Sequence, residues 1–398
     1  MPPQGTSQTT SIIAYQNALA NMGYSFRLNA VADRLEVYYK NEPPRAMSDA
    51  ELRSIRAQMR ARGFRSGEAV EDIVWHLGRM NTYHPIRGYL IRCGMTYDGG
   101  QHIAHLAGHF EDITQPYPMF RVWLRRWLIG AVAKAMRGGD VHNAMLVLDG
   151  PQGIGKSFFS SWLASEVPGY FVRGRIDPDQ KDCWVRLMEN FIWETAELGN
   201  TTRRADVDAL KEFISSETVT IRRPYGKFDL RKPALASLIG TINNSAGFLA
   251  DTTGNRRFLV STIKTIDWNY AQVVPVSQVW GEAFVAFNRG EPWQPSPNEL
   301  AQSEENNESF MIPDPLEGIL TKYFRLDPNG SSWISTGEIC ERLLTMGYKA
   351  GSTKALSMEL AATLQKAGIQ KERRVVAGVR LHGYRGIAVK TAQSTSVP

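Results

Sequence analysis

Leu146-Val-Leu-Asp-Gly-Pro-Gln-Gly-Ile-Gly-Lys-Ser157 is the stretch whose reading decides the fold. Gly150, Gly155, Lys156 and Ser157 match G-x-x-x-x-G-K-[ST] position by position. The apolar residues directly before them, Met145, Leu146, Val147 and Leu148, read as a buried strand. The pattern predicts a phosphate-binding loop built from Gly150, Pro151, Gln152, Gly153, Ile154, Gly155, Lys156, Ser157 and Phe158. Glycine lets the backbone curl until successive N–H groups point at a β-phosphate, lysine reaches the β and γ oxygens, and the Ser157 hydroxyl completes a Mg²⁺ shell. Residues 158–164 continue as a helix whose N-terminal end faces the phosphates.

Working outward, the run Asn190-Phe-Ile-Trp-Glu-Thr-Ala-Glu197 reads as a second strand, ending in carboxylates. Glu194 and Glu197 are the candidates for a Mg²⁺ ligand and for the base that orients water. Their spacing does not divide the two roles, and either carboxylate could instead cap the next helix. A third buried run over 236–242 delivers Asn243, an amide able to hold an attacking water. Arg256 and Arg257, on a glycine-marked loop, suit charge developing on a γ-phosphate, or plain surface ion pairs. Between these runs, Arg222-Arg-Pro-Tyr-Gly-Lys227 reads as a hairpin tip. Arg222, Arg223 and Lys227 can grip phosphates and Tyr225 can stack on a base, although a solvated basic loop reads equally well.

The 398 residues carry 46 Lys and Arg against 40 Asp and Glu, a net charge of +6, with 43% hydrophobic residues. That balance fits a soluble globular chain and admits a polyanionic partner without requiring one. Cys93, Cys183 and Cys340 are scattered, so neither a zinc site nor a disulfide framework is expected. Residues 1–12 lack the charged-then-apolar order of a secretory signal. Arg125, Arg126 and Lys134 break the longest apolar segment. A cytoplasmic protein, neither exported nor membrane-spanning, is expected.

Leu52, Ile55 and Met59, then Val74, Leu77 and Met80, recur at three- and four-residue steps, so residues 1–115 are expected to form a mainly helical N-terminal domain. His84 before Pro85 reads as a turn residue rather than a catalytic one. Trp123, Leu124, Trp127, Leu128, Ala131, Val132 and Ala135 stripe a helix over 117–136, expected to pack on a nucleotide-binding core over 116–292. The polar, proline-rich stretch 293–315 reads as a linker. Ser335-x-x-Glu338, the stripe Leu356, Leu360 and Leu364, and two strands around His382-Gly-Tyr-Arg385 predict a winged-helix domain over 316–390, turned to DNA or to protein. Residues 391–398 read as a disordered tail.

Taken in order, Tyr83-His-Pro-Ile-Arg-Gly-Tyr-Leu90, Tyr97-Asp-Gly99, Gly150 to Ser157, Trp193-Glu-Thr-Ala-Glu-Leu198, the Arg222 hairpin, Gly240-Thr-Ile-Asn243, Asp251 to Phe258 and Val279-Trp-Gly-Glu-Ala-Phe284 resemble the virulence-associated protein E family. That family comprises phage and mobile-element replication proteins related to the superfamily 3 helicases of the AAA+ class. The resemblance implies an α/β fold with a P-loop AAA+ core, ATP and Mg²⁺ as cofactors, and a ring, hexameric by expectation, that threads one DNA strand in a bacterial host. By motif, Lys156 and Ser157 hold phosphate and Mg²⁺, Glu194 and Glu197 form the acidic segment with Glu194 on the metal, and Asn243 is the sensor. Arg256 and Arg257 reach the neighbouring subunit, and Arg222, Arg223, Tyr225 and Lys227 grip DNA. In this chain the acidic pair lies three residues apart rather than adjacent. Residues 1–115 lack the length and acidic clustering of a primase domain, so a separate primase is expected. The rival class is an ATP-gated DNA-binding, initiator or signalling protein without processive unwinding.

Overall fold

The computed structural model describes residues 11–64, 67–196, 198, 204–222, 228–243, 249, 255–311, 315–349 and 351–390. The chain up to Met311 forms one compact unit and the rest a second.

The first unit begins with strands as well as helices. β1 (Tyr24–Asn29) and β2 (Arg34–Tyr39) pair antiparallel, flanked by the short β3 (Arg45–Ala46) and β4 (Thr82–Tyr83) in the order β3-β2-β1-β4. Helices Asp49–Ala61 and Gly67–Met80 lie where the apolar spacing puts them. Helices thus dominate the described part of residues 1–115, and a small four-stranded sheet that the helical spacing does not announce is added to them. Tyr24 and Phe26 point inward while Ser25 and Arg27 point out, a period of two over only six residues. Nor does a separate body end at residue 115. Val31 shares an apolar cluster with Trp123 and Leu146, and the buried Asn29 amide donates to Glu36 Oε1 and to Tyr170 Oη, each at 2.8 Å.

The strands that follow are β5 (Phe110–Asp112), β6 (Met145–Asp149), β7 (Phe171–Arg173), β8 (Ile192–Thr195), the hairpin β9 (Thr218–Arg222) and β10 (Asp229–Pro233), then β11 (Ser237–Ile242) and β12 (Phe258–Ile266). Six of them make the central sheet, ordered β5-β12-β6-β11-β8-β7. β12, β6, β11, β8 and β7 run parallel, and β5 is antiparallel at the edge. Every residue of β6, β8 and β11 is buried, as a parallel sheet covered on both faces demands. Leu146 and Leu148 enter one apolar cluster with Trp127 and Phe159, while Met145 and Val147 enter another with Trp193 and Phe213.

The helix Phe120–Arg137 covers the first face. Trp127 Nε1 donates to the Leu238 carbonyl at 2.9 Å, and Lys134 Nζ to the Ala236 carbonyl at 2.8 Å. Lys134 is 3% exposed, and burial alone pushes its ammonium down to about 7. Arg125 leaves the apolar stripe to bind Glu282 and Glu291, each at 2.6 Å. Glu282, inside one of the motifs, also accepts the Ile103 N–H at 2.7 Å.

The expected linker over 293–315 is also corrected. Ser296 and Glu299 form a reciprocal capping box that starts the helix Pro297–Asn307. The buried Asn306 exchanges hydrogen bonds with the Tyr117 backbone at 2.8 and 3.1 Å. A polar composition signals a linker only when its polar groups face water, and here they bind the core.

The second unit contains helices Pro315–Tyr323, Thr336–Thr345 and Thr353–Lys366, with β13 (Phe324–Leu326), β14 (Trp333–Ser335), β15 (Gln370–Val376), β16 (Val379–Arg385) and β17 (Ile387–Val389). Leu356, Leu360 and Leu364 are buried in its core as the stripe implies. The strands, however, reverse at Ala377-Gly378 and not at His382-Gly-Tyr-Arg385. Both turn residues have positive φ, 49° and 79°, the geometry of a two-residue hairpin, which Gly378 makes accessible. Residues 391–398 lie outside the described residues.

Candidate functional site

Three chain segments meet at the C-terminal ends of the parallel strands. The glycine loop leaves β6 at Asp149 and enters the helix Lys156–Trp162. Gly150 and Gly155 have φ of 153° and 106°, and a Cβ on Gly150 would lie 2.1 Å from the Ile263 carbonyl oxygen. The loop thus excludes side chains at both positions.

Lys156 Nζ folds back onto the loop and donates to the Gly150 and Pro151 carbonyls, each at 2.7 Å. Burial lowers its affinity for a proton, and Asp149 partly opposes this. The ammonium is held by two neutral acceptors, which an anionic ligand would outcompete. Ser157 Oγ donates to Glu194 Oε1, and Arg173 Nε donates to Glu194 Oε2 at 2.6 Å. Arg173 also donates to the Ser157 carbonyl at 3.1 Å. Glu194 is 0% exposed on β8, and its two oxygens are thereby both engaged. A hydroxyl beside one buried carboxylate is a donor set Mg²⁺ accepts, since that ion keeps several waters and takes few protein ligands. Among the described residues no cluster of three or more His, Cys, Asp or Glu forms a metal cage.

Asn243 directly follows β11, whose Ile242 pairs with Asp149. It therefore emerges at the same edge as the loop. Glu197 lies outside the described residues, so the acidic pair is represented by Glu194.

Arg256 and Arg257 stand elsewhere. They precede β12, and Phe258 pairs with Met145 at the start of β6. The register puts them at the opposite end of the parallel strands from Gly150. Arg257 Nε donates to Ser215 Oγ, and both arginines line a cavity of about 420 Å³ with His142, Glu217 and Trp293. The β9–β10 hairpin leads into β11 at this same end. Arg222 pairs in register with Asp229, while Arg223, Tyr225 and Lys227 lie outside the described residues.

His84 proves to be a helix cap. Its Nδ1 accepts the Arg87 N–H at 3.2 Å at the start of Pro85–Met95. Burial first, then Arg87 and Lys232, push it down to about 4, which keeps the acceptor lone pair free. Arg173 escaped the sequence reading because a three-residue strand carries no periodic signal. Trp268, across the loop strand, whose Nε1 donates to the Ile154 carbonyl at 2.9 Å, is equally invisible to a local motif.

A parallel α/β sheet with its glycine loop, lysine, hydroxyl and buried carboxylate at one strand edge defines the class. The family model of the virulence-associated protein E-like domain matches residues 90–312, more than half of the chain. The chain belongs to that family. A search of curated protein sequences gives no match. Among solved structures the chain is similar to an A-form apo structure of the NrS-1 C-terminal region, at 12% identity and a TM-score of 0.51, covering 95% of this chain and 100% of that one. Another apo structure of the same region has 11% identity, a TM-score of 0.48 and coverage of 95% and 100%. Among the described residues no helix is long and apolar enough to cross a membrane.

Proposed function

We propose that this chain is an ATP-hydrolysing motor of the superfamily 3-like AAA+ kind, serving replication of a phage or mobile element by moving along single-stranded DNA as a ring. One observation carries the reading: Ser157 Oγ and Glu194 Oε1 are already joined beside Lys156 at the exit of β6. In this reading Lys156 compensates the β and γ charge of ATP, Ser157 and Glu194 hold Mg²⁺, and Asn243 positions water. The metal supplies charge neutralisation on the phosphates. β11 between the loop strand and the acidic strand β8 supports the AAA+ assignment. The place of the β9–β10 hairpin between β8 and β11 supports a DNA-gripping role for Arg222, Arg223, Tyr225 and Lys227. In the second unit, two helices and the β15–β16 hairpin support a winged helix.

The separation of Arg256 and Arg257 from their own loop supports their acting across a subunit interface. The test is a mixing experiment. Lys156→Ala and Arg256→Ala/Arg257→Ala preparations should each be nearly inactive, because a missing arginine finger costs about 10³-fold or more in kcat. Mixed, with labelled subunits proving exchange, they should regain hydrolysis at interfaces that pair a good loop with good arginines. A mixture that exchanges yet stays as dead as its parts would sink the ring mechanism.

A further inference from the structure

Beside the glycine loop stand two large rings that the phosphate chemistry leaves unused. Trp268, two residues after β12, sends its indole edge onto the loop: Nε1 donates to the Ile154 carbonyl at 2.9 Å, and a Cβ on Gly155 would meet the ring at 2.9 Å. Phe158 stacks on it, with ring centroids 5.4 Å apart and planes 7° from parallel. Yet Trp268 is 51% exposed and Phe158 42% exposed. Apolar rings half open to water, but held in a fixed stack, are costly unless something covers them.

The sheet order says what lies near. Glu194 and Arg173 stand on β8 and β7, and Asn243 follows β11, all on one side of the loop strand β6; β12 and Trp268 are on the other. A nucleotide whose terminal phosphate faces the Glu194 side must run its nucleoside toward the β12 side. We propose that Trp268, backed by Phe158, is the stacking platform for the base of a nucleoside triphosphate, and that it favours purines by their larger ring area. This deepens the phosphate-site reading and rests on it.

Stacking needs a base, so the platform and the phosphate site respond to different probes. Binding of the imido analogue of ATP and of inorganic tripolyphosphate, each with Mg²⁺, is measured by calorimetry on the full chain. The analogue should bind about ten-fold or more tighter than tripolyphosphate, the order of affinity that one base–aromatic stack contributes. Trp268→Ala should remove about that factor for the analogue and leave tripolyphosphate unchanged. Phe158→Ala, which spares the Ile154 hydrogen bond, should give a smaller loss of the same kind, and Trp268→Phe should restore most of it. The imido analogue of CTP should bind less tightly than that of ATP. If Trp268→Ala weakens both probes equally, the indole only braces the loop and the platform is overturned. A shift in oligomeric state with analogue affinity intact would overturn it too, by making the rings a subunit contact. Failure of the underlying site looks different: wild-type protein would bind neither probe, or Lys156→Ala would leave tripolyphosphate affinity unchanged.

Discussion

At the scale of single residues, Lys156 and Lys134 are both buried lysines with opposite uses. Lys156 is held by two carbonyls at the mouth of the loop, where a triphosphate can replace them. Lys156→Ala should abolish hydrolysis, measured as phosphate release, because nothing else on the loop carries positive charge to the β and γ oxygens. Lys134 has one carbonyl and no opening. With its folded-state value near 7, the unfolded chain holds a proton between about pH 7 and 10 that the folded chain has shed. Stability therefore rises with pH through that window, by up to about 1.4 kcal/mol per unit. Urea unfolding at pH 7, 8 and 9 should show this slope, and Lys134→Met should flatten it; an unchanged slope would clear Lys134 of responsibility. Lys156 was legible from its motif. Lys134 looked like one of three charges interrupting an apolar run, and only the packing of its helix on β11 reveals a lysine in the core.

Elements that follow a local rule were readable and those that depend on a distant partner were not. The strand, loop and helix from Met145 to Trp162 obey local rules, since glycine, lysine and serine are dictated by geometry within a few residues. The helix Pro297–Asn307 has its own capping box, but a polar surface hid it, because the Tyr117 backbone that satisfies Asn306 lies far away in sequence. Ser296→Ala should cost about 1 kcal/mol in chemical denaturation, the usual loss at a capping serine. The β1–β2 pair was missed for a similar reason: Asn29, Glu36, Tyr83 and Tyr170 become a buried network only when four segments meet. Gly155 brings the loop and its neighbour together. Gly155→Ala combines a φ of 106° with a clash against Trp268, so strain of about 1–3 kcal/mol should lower the melting temperature and weaken tripolyphosphate binding. Normal binding in that variant would mean the loop has room that its geometry denies.

For the whole molecule, the parallel strands separate two sets of tools. Loop, Glu194 and Asn243 occupy one end; the arginines and the base of the basic hairpin occupy the other. If the hairpin grips single-stranded DNA, Arg223→Ala/Lys227→Ala should weaken that binding. The slope of log affinity against log salt should become shallower by about 0.7 for each cation removed. A parallel shift with no change of slope would show that neither cation meets a phosphate. The family was legible from motif order, which survives when most residues change, whereas the union of residues 1–115 with the core depends on contacts such as Asn29 to Tyr170.

Because Arg173 already pairs with Glu194, metal loading of this site would be an exchange of counter-ions rather than a simple addition. Glu194 is shut away from water, so its charge must always have a cationic companion, and Arg173, half open to solvent, is the one in residence. A divalent ion bound here would have to displace it, and the metal affinity would then be the difference between two attachments. Arg173→Ala should then produce a protein that melts early in a chelator, by about 2 kcal/mol for a buried charge stripped of its partner. Magnesium should restore it, at concentrations lower than the wild-type site needs.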